Sequence, residues 1–298
     1  MNLLKRLKAV KKGKGVSAAE NKEDEMFFLR LISWIILVGL FCCVIFVKEI
    51  GTHILLLLFA AGAFIATYEV CGMFEKKGYR AFKKLSAFFG ALSVITVFFL
   101  PGEYHLLPTA VFVMICWGKL LFNNGKTELL QKIPVSLGAY LMGFLPIFFL
   151  SKIYFYNTAG AGLLLYMVAV TKSGDTFAYV TGMLSNRILK GKNHKIVPSI
   201  SPKKSWEGTI GGLICSVLIS FFLYNYLFKE SALLAVVMGI MLFLGGFAGD
   251  LSESALKRIC GVKDSGAIIP GMGGVYDLLD SFIFNAPLFY FTIYLFYK

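Results

Sequence analysis

The chain has 298 residues, of which 57% are hydrophobic, 15% aromatic and only 16% charged, with a mean hydropathy of +0.73. Such a composition excludes an ordinary soluble domain and leaves a lipid bilayer as the solvent. The formal net charge of +13 is accounted for by membrane topology and by attraction to anionic lipid head groups, so nucleic acid need not be invoked.

Residues 1–26, "MNLLKRLKAVKKGKGVSAAENKEDEM", combine a short basic amphipathic stretch with a charged linker, suited to the inner membrane surface or to a tail that enforces orientation. No small-residue cleavage pattern follows the first apolar run, so that run reads as a span rather than a signal peptide. A transmembrane helix needs roughly 20 mostly apolar residues. Nine stretches qualify, at about 31–47, 52–72, 85–100, 106–122, 134–150, 154–171, 209–228, 232–249 and 281–297. Lysine and arginine concentrate in cytoplasmic loops. With nine spans and the N-terminus inside, all of the 30 basic residues except Lys48, Lys152, Lys229 and Lys298 fall on the cytoplasmic side. The expected fold is therefore an all-α polytopic membrane protein with the N-terminus cytoplasmic and the C-terminus outside. It divides into a basic segment (1–26), an N-terminal bundle (27–171) and a catalytic region with cytoplasmic loops (172–298).

Cysteine and histidine contribute little to this picture. Cys42, Cys43, Cys71, Cys116 and Cys215 lie in apolar runs, Cys260 lies in a loop, and no C-x-x-C spacing occurs. His53, His105 and His194 show no ligand spacing.

Acidic residues are more informative. In the first five spans Glu69, in "ATYEVCGMF", is the exception to an almost wholly apolar surface. An intramembrane carboxylate is a functional candidate, although Glu69 could instead reach the interface near Lys76 and Lys77. Asp175, Glu207, Asp250, Glu253, Asp264, Asp277 and Asp280 all fall in, or at the helix ends beside, the segments 172–208 and 250–280. Both segments face one compartment and can converge on one cytosol-facing cavity.

Four motifs carry the chemistry. "KSGDTFAYVTG" (172–182) places Asp175 at the end of the sixth span, where it needs either Lys172 or a shared site with Asp250 or Asp277. "SPKKSWEGTIGG" (201–212) offers Lys203 and Lys204 as point charges for phosphate, Ser201 and Ser205 as hydrogen-bond donors, and Trp206 as an interfacial anchor. In "GDLSESALKR" (249–258), continued as helix, Asp250, Glu253, Ser254 and Lys257 share one face and suit a divalent cation holding a phosphate; the alternative is a charged helix end with an i,i+4 pair. In "GVKDSGAIIPGMGGVYDLLDS" (261–281), glycines including Gly273 and Gly274 let a phosphate approach, and Asp277 and Asp280, three apart on a helix, point to one side as a cation-binding pair. The alternative is a glycine-rich turn with Asp280 capping the ninth span, a role better suited to Asp280 than to Asp277.

In this order the motifs closely resemble the phosphatidate cytidylyltransferase (CDP-diglyceride synthase) family of integral membrane enzymes, in detail over residues 172–285. Ser254, Lys257, Arg258, Lys263, Asp264, Gly273, Gly274, Asp277 and Asp280 match the family signature; Met272 and Leu278 stand where the family usually has histidine and arginine. The resemblance implies transfer of CMP from CTP to phosphatidic acid, giving CDP-diacylglycerol and pyrophosphate, with Mg²⁺ required and room for a second cation. It also implies a homodimer among membrane lipids. Since the nucleophile is already a phosphate anion, the chemical problem is to bring two polyanions together. Asp250 and Asp277 are expected to hold the Mg²⁺, with Asp175 and Asp280 assisting. Lys203, Lys204, Lys257, Arg258 and Lys263 neutralise phosphates, while Ser201, Ser205, Ser254, Asp264, Gly273 and Gly274 complete the substrate site. The expected location is a bacterial inner membrane with the site facing the cytoplasm. A transporter or channel is the competing class, but it would carry charges through several spans or show repeats. A CDP-alcohol phosphatidyltransferase would carry a D-G-x-x-A-R pattern, which is absent.

Overall fold

The computed structural model describes residues 39, 48–122, 127–227, 231–270 and 273–296. The basic segment 1–26, the first predicted span at 31–47 and Met272 lie outside the described residues. The chain there is almost wholly helical: α1 (Lys48–Lys76), α2 (Lys83–Phe99), a 3₁₀ turn (Gly102–Tyr104), α3 (Leu107–Leu121), α4 (Glu128–Tyr154), α5 (Gly160–Ile188), α6 (Trp206–Leu227), α7 (Ala232–Ile259), a four-residue α8 (Val275–Leu278) and α9 (Phe282–Phe296). Apolar sequence forms helix here because helix satisfies every backbone polar group within its own segment, which lipid requires. Among the described residues five helical stretches are long and apolar enough to cross a membrane: Ile50–Lys76, Gly102–Leu121, Glu128–Tyr154, Trp206–Tyr224 and Ala232–Ile259; α9 is apolar but shorter.

The helices meet the predicted stretches in order, but their ends differ. Pro134 and Pro146 both lie inside α4, which starts at Glu128. The sequence reading placed that boundary at the first proline, yet a proline within the first turns removes few helical hydrogen bonds. The turn before α5 forms at Asn157, whose side chain accepts the Ala159 N–H (2.8 Å). From Gly160 the helix then runs on through the polar stretch beyond the predicted end of the span at 171, as far as Ile188. Likewise α7 continues to Ile259, and Gly261, in the left-handed region at φ +70°, ends it as Val262 N–H reaches back to Lys257 O (2.9 Å).

Two packing centres result. In the N-terminal bundle Tyr140 of α4 is buried against Phe112 and Phe144, and its hydroxyl bonds Ser93 of α2 and Thr109 of α3 (both 2.7 Å). In the C-terminal bundle Tyr166 of α5 bonds Ser220 of α6 (2.6 Å), which donates to Ala235 O of α7 (2.5 Å). Asn285 of α9 is fully buried and ties Thr171 of α5 to Leu242 O of α7 (2.8 and 2.7 Å). Small residues set the α5–α6 contact: a side chain at Gly212 would meet Gly174 O and Ala178 Cβ at 2.7 Å, and one at Gly208 would meet Ala178 O at 2.6 Å. This is the close backbone approach that membrane helices use in place of a hydrophobic driving force. Gly212→Leu is expected to separate these helices, and overpacking of this kind costs about 1–3 kcal/mol or more. The check is the yield of monodisperse protein on size exclusion, which should fall well below that of Gly162→Leu, where the added Cβ meets nothing within 4 Å.

Candidate active site

The loop between α5 and α6 is held by a short antiparallel bridge between Lys195 and Ser205, with Ile196 N–H to Lys204 O (3.3 Å) and Trp206 N–H to His194 O (2.9 Å). Ser205, buried, caps α6 by accepting the Gly208 N–H (3.2 Å). Its hydroxyl therefore orders the "SPKKSWEG" segment. Glu207, in the first turn of α6, accepts from the His194 backbone N–H (3.1 Å) and faces its ring nitrogen (2.8 Å). With its ends pinned, the segment turns Ser201, Lys203, Lys204 and Ser205 to a cavity of about 390 Å³, walled also by Asp175, Tyr179 and Asn193 on one side and by Phe247 and Asp250 on the other. The two distant acidic segments thus contribute to one cavity through Asp175 and Asp250.

Its two carboxylates are paired with lysines. Lys204 Nζ lies 2.8 Å from Asp250 Oδ2 and 4.2 Å from the centroid of the Phe247 ring. Lys172 Nζ sits 3.6 Å from Asp175 Oδ2, 3.1 Å from Asp280 Oδ1 and 2.7 Å from Ser281 Oγ. Asp280 also accepts the Ser281 N–H (2.5 Å) at the start of α9. Asp175, Asp250 and Asp280 all bear electrostatically on Lys172.

Asp277 belongs to a second cluster. Its Oδ1 accepts from Lys257 Nζ (2.9 Å) and its Oδ2 from the N–H groups of Gly274 (2.7 Å) and Ser265 (3.0 Å). Lys257 Nζ is also 2.7 Å from Oε1 of Glu253, whose side chain is 2% exposed. Burial would raise the Asp277 carboxyl, but hydrogen bonding with Glu253, the Gly274 amide and Lys257 outweighs it and holds the group below the ordinary aspartate value of 3.8.

Several expectations change accordingly. Asp277 and Asp280 do not share a helix face, because α8 ends at Leu278 and α9 starts at Phe282; each therefore turns to its own lysine. Asp277 accepts the Gly274 N–H at the start of α8, while Asp280, the candidate cap of the ninth span, accepts the Ser281 N–H just before α9. The GDLSESALKR face also divides. Ser254 Oγ donates to Asp250 (3.4 Å) near the cavity, whereas Glu253 and Lys257 turn to Asp277. Asp250 pairs with Lys204 and Asp277 with Lys257. Arg258 is exposed, with Nε 3.5 Å from Ile200 O, and Lys263 and Asp264 are exposed in the loop after α7. Gly273, at φ +100°, adopts a conformation that favours glycine; it pairs with Ile269, and a side chain there would strike Asp277 and lie 3.5 Å from Asp264. Leu278 is half-buried at the end of α8.

Sequence reasoning missed three participants: Glu253, which it weighed only as a helix-face member, and Ser265 and Ser281. Each is a small or acidic side chain inside a quoted motif, and only tertiary contact reveals its partner. Glu69 does not reach toward Lys76 or Lys77. Its carboxylate is buried and accepts from Ser265 Oγ (3.1 Å), Val275 N–H (3.2 Å) and Tyr276 N–H (2.9 Å).

Among the described residues no three histidine, cysteine or acidic side chains stand close enough to hold a metal ion between them. Mg²⁺ does not need such a cage, since it is usually held by one or two carboxylates together with substrate phosphates. Hard carboxylate donors at the cavity, Asp175 and Asp250, with Asp280 beside them at Lys172, fit that mode of binding.

Comparison with known proteins adds to this geometry. Residues 28–296 match the cytidylyltransferase family. The chain is 30% identical over 271 residues to the uncharacterized protein YnbB of Escherichia coli (strain K12), an alignment covering 89% of this chain and 86% of that protein. It is 44% identical over 138 residues to the phosphatidate cytidylyltransferase of Staphylococcus haemolyticus (strain JCSC1435), covering 45% and 51%. It is 32% identical over 222 residues to phosphatidate cytidylyltransferase 4, chloroplastic, of Arabidopsis thaliana, covering 67% and 54%. The chain thus spans about half the length of each of these two phosphatidate cytidylyltransferases.

Proposed function

The chain belongs to the cytidylyltransferase family, and from that premise we propose that it transfers CMP from CTP to phosphatidic acid, forming CDP-diacylglycerol and pyrophosphate for phospholipid synthesis. One observation carries this: a single cavity gathers the lysines and serines of "SPKKSW" together with Asp175 and Asp250, which is a surface for phosphate and its counter-cation at once. In this reading a phosphate oxygen of phosphatidate attacks the α-phosphorus of CTP. A new P–O bond forms, the bond from the α-phosphorus to the bridging oxygen breaks, and pyrophosphate leaves with the electron pair. No general base is required, because the attacking oxygen is already anionic.

The residues then act by neutralising and orienting. Lys203 and Lys204 meet phosphate oxygens as point charges, and Ser201 donates a hydrogen bond. Lys257 and Arg258, from the last turn of α7, and Lys263, from the loop after it, serve the second polyanion. Asp175 and Asp250, with Asp280 beside them at Lys172, would hold Mg²⁺ together with the CTP phosphates, and the ion would supply charge compensation there. Asp277 fixes Lys257 rather than sharing that ion. The proposal extends to nine spans, an N-terminus and active site facing the cytoplasm, a plasma-membrane location, a homodimer and the division into segments 1–26, 27–171 and 172–298.

The test is direct. Purified folded protein, given CTP, phosphatidic acid and Mg²⁺, should release pyrophosphate and form CDP-diacylglycerol. Absence of product with phosphatidates of several chain lengths and with several divalent ions would refute the assignment.

A further inference from the structure

We infer that Glu69 is a positioning residue for the loop that carries Asp277, a role that rests on the cytidylyltransfer reading for its functional consequence. Glu69 lies on α1 in the N-terminal bundle, whereas its partners are 196 to 207 positions later in the chain. A carboxylate taken out of water needs donors. Among the contacts of Glu69 those donors are two backbone N–H groups and one hydroxyl, all from the segment between α7 and α9.

Two acids grip that loop together. Ser265 gives its hydroxyl to Glu69 and its N–H to Asp277, and of three consecutive N–H groups Gly274 donates to Asp277 while Val275 and Tyr276 donate to Glu69. Asp277 therefore meets Lys257 at 2.9 Å only while the backbone beneath it is held from the other side. The glycines are matched to the clasp: a Cβ at Gly266 or Gly274 would collide with the Glu69 carboxylate, so this backbone is shaped around that side chain. Without Glu69, Val275 and Tyr276 N–H lose their acceptor, and an unsatisfied buried donor costs enough to move the segment. The cavity walls at Lys203, Lys204 and Asp250 do not include Glu69, so nucleotide binding should be largely spared while turnover is not.

The experiment uses the full chain in detergent with Glu69→Ala, Glu69→Gln and the milder Ser265→Ala, each assayed on the monodisperse fraction. Two readouts are taken: kcat and KM for CTP with phosphatidic acid and Mg²⁺, and hydrogen–deuterium exchange of the peptide covering 264–279. Glu69→Ala should lower kcat at least tenfold with KM for CTP within about threefold. Amides of 264–279 should exchange at least tenfold faster, while those of the 189–205 loop keep the wild-type rate. Glu69→Gln, which retains shape and some acceptor capacity, should recover part of both losses. Wild-type kcat, unchanged exchange at 264–279, or acceleration spread equally over all helices would each overturn the proposal. If Glu69→Ala does not fold, the same pattern at smaller size in Ser265→Ala decides the matter. If the wild-type protein shows no turnover, the functional reading fails, while the exchange comparison still decides whether Glu69 holds the loop.

Discussion

Asp277→Asn is expected to lower turnover about 100-fold or more and to lower the thermal midpoint of the folded protein. Both carboxylate oxygens are acceptors: Lys257 lies on Oδ1 and the Gly274 N–H on Oδ2, with the Ser265 N–H shared between them. An asparagine must turn its NH₂ toward one of these sets, which places donor against donor. It also leaves Lys257 beside the buried Glu253 with one fewer anion. Hydrogen bonds to charged groups contribute about 1.5–3 kcal/mol each, and every 1.36 kcal/mol lost from transition-state positioning is about tenfold in rate, so two such losses give the stated size. The pH dependence has a definite sign. The Asp277 carboxyl is held below its ordinary value of 3.8, so its stabilising contribution is fully present above that pH and is lost as pH falls through the depressed value. Melting curves of wild type and Asp277→Asn should therefore stay separated from neutral pH down to about pH 5 and converge only in stronger acid. Coincident curves at neutral pH, or unchanged turnover, would remove Asp277 from the site.

Helices were legible in the sequence where lipid dictates them and illegible where it does not. The apolar runs located the apolar parts of α1 to α7 and α9, with starts up to about six residues off, because a bilayer admits little besides helix. The polar continuations of α5 to Ile188 and of α7 to Ile259 carry no apolar signal, and their helicity comes from extension of a helix already nucleated. The carboxylates were legible as a class, since acids near lipid must be compensated, but their partners were not. Spacing put Asp277 and Asp280 on one face, and the break at Leu279 to Ser281 separated them. The acceptor role of Glu69 could not be read at all, because its donors are mostly backbone N–H groups, which every sequence contains.

The second large effect is expected at Lys172. Lys172→Met keeps the stem and removes the ammonium, leaving Asp175 of α5 and Asp280 at the foot of α9 with no cation between them, and Asp250 close enough to act on Asp175. Removing one partner of a buried ion pair costs about 3–5 kcal/mol. The Lys172 side chain retains 26% exposure and its two partners 37% and 23%, so solvent screening reduces this to about 2 kcal/mol, or a fall in thermal midpoint of about 4–8 °C for a chain of this size. Turnover should fall at least tenfold. The vacated position is then an acid-lined site suited to a hard cation, so millimolar Mg²⁺ should restore more of the midpoint in Lys172→Met than it adds to the wild type, and sodium chloride of equal ionic strength should not. That difference separates a site built for a divalent ion from general screening, because screening depends on ionic strength alone. Equal responses to the two salts would mean that Asp175, Asp250 and Asp280 are structural partners of lysine only, and the cation serving CTP would have to be carried elsewhere.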